Sequence, residues 1–254
     1  MKNIFLILLL SSSILGLHAQ SRNSNYTAKW FIVSLKGGIG MSGLKSDMLK
    51  HDEDISANFL NLAKIGGVKM GVLFKEKYMI IAEGAFSEWN QNYQISNPIS
   101  TLSQRFKSRE AALMFRYNTS YGVMFEIGGK ATQVTAGKES KSTVKTTCDS
   151  LNKYFKPYYP SINVGLGFVP YKGNRIQAVV NVRGSYSIGG VIEKGKYLLF
   201  ESKKDNSPNP RMYYPFVPYD ETMMDNTKTN AFSLLLSIEF NYILWGSNRK
   251  ARPW

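Results

Sequence analysis

Few residues in this chain have types and spacing that suggest chemistry, and their surroundings decide most of their meaning. Gly38-Ile39-Gly40-Met41-Ser42-Gly43 has the glycine spacing of a dinucleotide-binding turn. In such a turn the backbone amides at a helix start cradle a pyrophosphate. That chemistry needs a helix opening at the last glycine, whereas here a polar loop leads into another alternating segment, so the packing of small residues is the better account. His51 stands among Asp47, Asp52, Glu53 and Asp54. Oxygen ligands of this kind suit a divalent cation, but a solvated acidic loop is the simpler reading. The only other histidine, His18, lies in a leader-like segment, so mechanisms that need an imidazole base beside a nucleophile have little to work with. No catalytic residue, cofactor or metal site is assigned, and the chain is expected not to be an enzyme.

A second set of charges has a structural meaning. Lys36, Lys69, Glu83, Glu110, Arg116, Glu126, Lys130, Arg183 and Glu239 each fall within a segment of alternating polarity, always on its polar side. Acids and bases nearly balance, as they would in a self-paired network, because a buried charge without a partner is costly. A plugged interior is therefore expected rather than a conducting pore. Two further features suit contacts outside. Lys138, Lys141, Lys145, Lys153 and Lys156 make one long loop cationic, able to meet lipopolysaccharide phosphates or an acidic protein. Tyr213, Tyr214, Phe216 and Tyr219, interleaved with Pro215 and Pro218, form an aromatic, stiffened segment suited to a protein partner.

The elements that would hold these residues are strands. From Ala231 to Trp245, Phe232, Leu234, Leu236, Ile238, Phe240, Tyr242 and Leu244 alternate with Ser233, Ser237, Glu239 and Asn241. A period of two puts one greasy and one mostly polar face on a strand long enough to span a bilayer. An isolated strand in lipid would leave its backbone unpaired, so spanning requires a closed barrel. Seven more segments of this kind precede it, around Phe31–Met41, Leu60–Phe74, Tyr78–Ser87, Glu110–Tyr117, Val123–Thr132, Ser161–Phe168 and Ile176–Ile188. Eight strands in up-and-down order leave short turns after the second, fourth and sixth, and long loops after the others. The long loops are expected at 47–58, 90–104, 136–157 and 189–229. All would lie at one end, extracellular in an outer-membrane barrel, with both termini periplasmic.

Aromatics gather at the short-turn end: Trp30 and Phe31, Phe74 and Tyr78, Tyr117 and Tyr121, Phe168 and Tyr171, Tyr242 and Trp245. They are expected to form an interfacial girdle. The polar sides are Ser, Asn, Gln and Gly with sparse charge, poor material for a water-exposed surface and good material for a filled lumen. The greasy faces should therefore point outward. Lys64 breaks the pattern on an outward face, where a long side chain near the membrane edge can reach water.

Composition agrees with this reading. The chain has 254 residues, 43% of them hydrophobic, and a formal charge of +14, so an anionic partner is expected. Lys2, the apolar run Ile4 to Leu10, and Leu17-His18-Ala19 read as a secretory signal peptide cut after Ala19. Export makes nucleic acid an improbable partner, and the single Cys148 excludes a disulfide within the chain. The expected organisation is a signal peptide at 1–19, a periplasmic segment at 20–29, an outer-membrane barrel at 30–246 and a tail at 247–254.

With the Ala19-Gln20 junction and the opening Gly37-Gly38-Ile39-Gly40 strand in view, the chain resembles the small outer-membrane barrels of Bacteroidota, in particular the PorT-like outer membrane β-barrel domain. The resemblance implies an eight-stranded antiparallel transmembrane barrel and a link to type IX secretion; it carries over no catalytic residue. The leading expectation is a non-enzymatic outer-membrane barrel serving envelope assembly, secretion or adhesion, with membrane lipid, lipopolysaccharide and envelope or secretion proteins as partners. Two alternatives stay open: a membrane enzyme acting on lipid or peptide, and a soluble lipocalin-like carrier with its faces reversed.

Overall fold

The computed structural model describes residues 29–46, 55–58, 61–75, 77–96, 99–141, 144–148, 151–173, 175–193 and 229–246. The strands are β1 (Lys29–Ser46), β2 (Ile55–Asn58), β3 (Asn61–Phe74), β4 (Tyr78–Ser96), β5 (Ile99–Asn118), β6 (Val123–Lys141), β7 (Val144–Cys148), β8 (Tyr159–Lys172), β9 (Ile176–Ser187) and β10 (Thr229–Gly246). Leaving aside the short β2 and β7, each long strand pairs antiparallel with the next. The ring closes where β10 meets β1, from Trp30 opposite Gly246 to Ser46 opposite Thr229. Eight long strands thus make a closed up-and-down barrel with no free edge around its wall.

Turn chemistry fixes one end. β3 and β4 are joined at 75–77, where Lys75 takes a positive φ of 48°. β5 and β6 are joined at 119–122, where Gly122 takes a φ of 79°, a conformation glycine adopts without steric cost. The Thr119 hydroxyl donates to the Val123 carbonyl across this turn at 2.9 Å. The first residue of β1 and the last of β10 sit at this same short-turn end.

The two faces are inverted relative to a soluble barrel. Outward Leu236, Ile238 and Phe240 are 49, 50 and 57% exposed, whereas inward Glu239 and Arg183 are 0 and 4% exposed. A wall that shows its oil outside and hides its charge inside suits lipid as solvent, and it rules out the lipocalin-like arrangement.

Several strands run much further than a bilayer requires. β4, β5 and β6 have 19, 20 and 19 residues, against the roughly 9–11 that span the hydrocarbon. On their upper halves the polarity switches sides. Trp89, Tyr93, Leu102 and Phe106 are buried inward, while Gln94, Thr101, Arg105 and Lys107 are exposed outward. Below this level the wall is built for lipid, and above it the same strands are built for water.

The upper part departs from the sequence expectations. Residues 90–104 are not a loop, since β4 and β5 stay paired up to Ser96 opposite Ile99. The segment 136–157 is not one open lysine-rich loop either: β6 continues to Lys141, β7 pairs back onto it, and a 3₁₀ turn (Leu151–Tyr154) follows. The acidic loop after β1 ends in β2, which pairs with β4. Trp30 is half-buried and packs on the inner cluster at the short-turn end, so it belongs to the lumen and not to the girdle. Tyr78 does lie outward, its ring 5.4 Å from Tyr117 and 6.0 Å from Phe115.

Candidate functional site

The lumen is stacked in three layers. At the short-turn end Ile32, Leu73, Met79, Ile81, Met114 and Ile243 form an apolar floor. Above it lies an ionic layer drawn from most of the wall. Lys36 Nζ donates to Glu83 Oε1 at 2.9 Å, and Arg183 Nη1 donates to Glu83 Oε2 at 2.7 Å. Arg183 Nη2 and Asn181 Nδ2 each reach Glu126 Oε2 at 2.6 Å. Arg116 bridges Glu126, through Nε at 2.8 Å, and Glu239, through Nη2 at 2.6 Å. Lys69 donates to Glu239 and lies 3.5 Å from Glu83. Slightly apart, Lys130 pairs with Glu110 at 3.1 Å, and the Ser87 hydroxyl donates to the same carboxylate at 2.7 Å. The nine residues read from the sequence as a lumen network, Lys36, Lys69, Glu83, Glu110, Arg116, Glu126, Lys130, Arg183 and Glu239, are thus brought together inside the barrel.

Crowding explains the inward glycines. A Cβ on Gly38 would sit 2.7 Å from the Leu236 carbonyl oxygen, and one on Gly40 would collide with that of Leu234. Two members of the dinucleotide-like motif are therefore glycine because β10 passes close by, and the motif lies wholly inside β1, which runs on as strand past Gly43 to Ser46.

The third layer was not visible in the sequence. Trp89 and Phe106 stack with ring centroids 4.3 Å apart, and Phe155 meets them edge-on at 6.3 and 5.2 Å. Leu151, Tyr154, Val191 and Leu235 complete an apolar cap over the mouth. Backbone hydrogen bonds hold it in place: Lys156 donates to the Val191 carbonyl, Glu193 to that of Tyr154 and Val191 to that of Thr229, at 2.9, 2.9 and 2.8 Å. Between cap and ionic layer a space of about 30 Å³, lined partly by Ser42, Glu110, Lys130, Tyr159 and Ser233, has room for little more than a water molecule. Among the described residues the charges thus lie between two largely apolar clusters, with only small spaces beside them.

His51 and its acidic neighbours, the aromatic segment with Tyr213, Tyr214, Phe216 and Tyr219, the leader at 1–19, the segment 20–28 and the tail at 247–254 lie outside the described residues. Lys138 is exposed on β6, and Lys153 lies 5.2 Å from the Tyr154 ring centroid.

No protein-family model matches the chain, and no curated protein matches it. Among solved structures it is similar to the outer membrane protein OprG from Pseudomonas aeruginosa, at 11% identity and a TM-score of 0.42 over 87% of this chain and 98% of that one. It is similar also to Ail, the attachment invasion locus protein of Yersinia pestis, at 10% identity and a TM-score of 0.40 over 86% of this chain and 100% of that one. Neisserial surface protein A gives 9% identity and a TM-score of 0.39 over 84% and 97%. The closed strand ring with its inverted faces, independent of these similarities, defines the fold as an eight-stranded antiparallel β-barrel of the membrane type.

Proposed function

We propose that this chain is a non-enzymatic outer-membrane barrel that works through its surfaces, with a role in envelope assembly, PorT-like protein secretion or adhesion. The observation that carries this reading is the sealed lumen. Among the described residues, an ionic layer paired largely within itself, with apolar clusters above and below it, fills the lumen and leaves little room for solute or substrate. Function then falls to what projects from the barrel: the wall above the membrane, the long connections, and the chain ends at the short-turn side. Membrane lipid and lipopolysaccharide are its surroundings in this reading, and envelope or secretion proteins its partners.

Fractionation of cells producing the full chain tests the location: recovery in the detergent-soluble outer-membrane fraction is expected, and recovery in the soluble periplasm without detergent would end the proposal. A pull-down from detergent-extracted outer membranes then addresses the role. Co-purification of an envelope-assembly or secretion component supports it. A lipid-modifying activity that disappears on His51→Ala would replace it with the enzyme reading.

A further inference from the structure

The outer wall carries one feature that a barrel needs neither to fold nor to insert. On β5 the outward side chains read, from the short-turn end upward, Tyr117, Phe115, Leu113 and Ala111, then Arg109, Lys107 and Arg105. Successive outward positions on a strand stand about 7 Å apart, so three cations follow in a row directly above the apolar belt. Register adds a fourth: Lys64 on β3 lies opposite Glu88, and Glu88 lies opposite Lys107. Glu88 is the acid within the cluster, and it is ion-paired to Arg105, whose side chain is still 61% exposed. Lys64, Lys107 and Arg109 are likewise exposed. Among the described residues, the outward side chains toward the upper ends of β9 and β10 are apolar, Tyr186 and Ile188 on β9 and Leu234 and Leu236 on β10.

The level of the cluster is fixed independently. Arg109 stands opposite Phe86, which is 69% exposed and closes the apolar belt on β4. Just above Phe86, at Trp89 and Phe106, the strands turn their apolar side inward. The cations therefore lie where hydrocarbon gives way to headgroups, on the long-loop side. A ligand meeting them would need several negative charges at the headgroup level and acyl chains able to lie on Leu113, Phe86 and Val68 below.

We propose that Lys64, Arg105, Lys107 and Arg109 form a site on the outside of the barrel for the phosphate-bearing headgroup of a lipid in the leaflet on the long-loop side. The site rests on the reading of the apolar belt as membrane-embedded. Arginine supplies a planar fork that matches phosphate oxygens in pairs, and lysine adds a point charge. The cluster grips one kind of lipid on one side of the barrel and so fixes the depth and tilt of that wall.

The test uses the full mature chain folded into phosphatidylcholine nanodiscs doped either with a diphosphorylated glucosamine lipid or with its dephosphorylated form, with co-purifying lipid counted by mass spectrometry. The phosphorylated lipid is expected to be retained preferentially, and less so as salt is raised. The triple variant R105Q, K107Q and R109Q should weaken that retention by about tenfold or more. A control, K75Q with K77Q, removes exposed lysines at the opposite rim and should change nothing. Equal retention of both lipids, or of the phosphorylated lipid by wild type and triple variant when both insert and resist heat equally, would overturn the site while leaving the barrel intact. So would capture of soluble polyglutamate without a preference for lipid phosphate. Failure of the wild type to insert at all would overturn the membrane reading and the site with it.

Discussion

Glu126 accepts a 2.6 Å hydrogen bond from Arg183 across the lumen, although the two stand 57 residues apart on strands that are not neighbours in the wall. The same is true of Lys36 with Glu83, Arg183 with Glu83, Lys69 with Glu239 and Arg116 with Glu239. Neighbouring strands are held by backbone pairing. The ionic layer instead ties strands that the backbone cannot reach, and so keeps an eight-stranded ring from flattening.

Charge within that layer is uneven, with Lys36, Lys69, Arg116 and Arg183 set against Glu83, Glu126 and Glu239. Glu126→Met should therefore be strongly destabilising, by about 3–5 kcal/mol, because it leaves the four buried cations with only the carboxylates of Glu83 and Glu239. Lys36→Met removes the surplus cation and leaves Glu83 with Arg183 and Lys69, so its cost should be clearly smaller. Reversible denaturant unfolding in lipid vesicles measures both. Equal costs would mean that the network does not act through its charge balance.

Glycine substitutions should divide by face. Gly66 is exposed on the outer wall, and a Cβ added there would meet nothing within 4 Å, whereas one on Gly40 or Gly128 would run into the carbonyl oxygens of Leu234 or Leu113. Gly66→Ala is expected to be neutral or stabilising by up to about 1 kcal/mol through loss of unfolded-chain freedom. Gly40→Ala and Gly128→Ala should lower the unfolding midpoint, since backbone must move to admit the methyl group. Heat-modifiable gel mobility of the three variants reads the difference.

The barrel was legible in the sequence because a lipid-facing wall writes its parity into every strand. Leu234, Leu236, Ile238 and Phe240 alternate with Leu235, Ser237 and Glu239, and the one or two charges that all the long strands but β8 carry on their polar side sufficed to name the ionic layer. The strands above the membrane were not legible for the same reason. There the alternation persists but its polarity reverses, so Trp89, Tyr93, Leu102 and Phe106 fall on the side where polar residues were expected, and 90–104 reads as a loop. The cap was hidden differently. Leu151, Tyr154, Phe155 and Val191 sit in short segments without periodicity, and only the folded chain brings them over Trp89 and Phe106. Asking where alternation changes sign, and not only where it stops, would have found the first but not the second.

Two seals in series predict how the lumen responds to damage. Phe155→Ala with Leu151→Ala removes most of the aromatic and aliphatic cover that the 3₁₀ region contributes. Planar-bilayer recordings of this variant should still show no stable open state, because the ionic layer and the floor of Ile32, Leu73 and Met114 remain beneath. Conductance is expected only when the cap variant is combined with loss of Arg116 and Glu126 together. Stable channels from the wild-type chain, or from the cap variant alone, would show that the middle layer is not a barrier.

An arginine scan down β5 asks which solvent the wall faces. Leu113 is 64% exposed on the outer face, and in water an arginine there would be harmless. In a bilayer the same change places a guanidinium in hydrocarbon, and Leu113→Arg should cost about 2–4 kcal/mol near the midplane. Ala111→Arg, one outward position higher and next to Arg109, should cost only about 0–1 kcal/mol, the value for an interface. Ser103→Arg, above the level at which Phe106 turns inward, should lie within about 0.5 kcal/mol of wild type. Refolding into vesicles at several urea concentrations yields all three. A profile that falls in this order locates the edge of the hydrocarbon between Leu113 and Arg109, whereas a flat profile would mean that these strands stand in water and that the oily face is covered by protein.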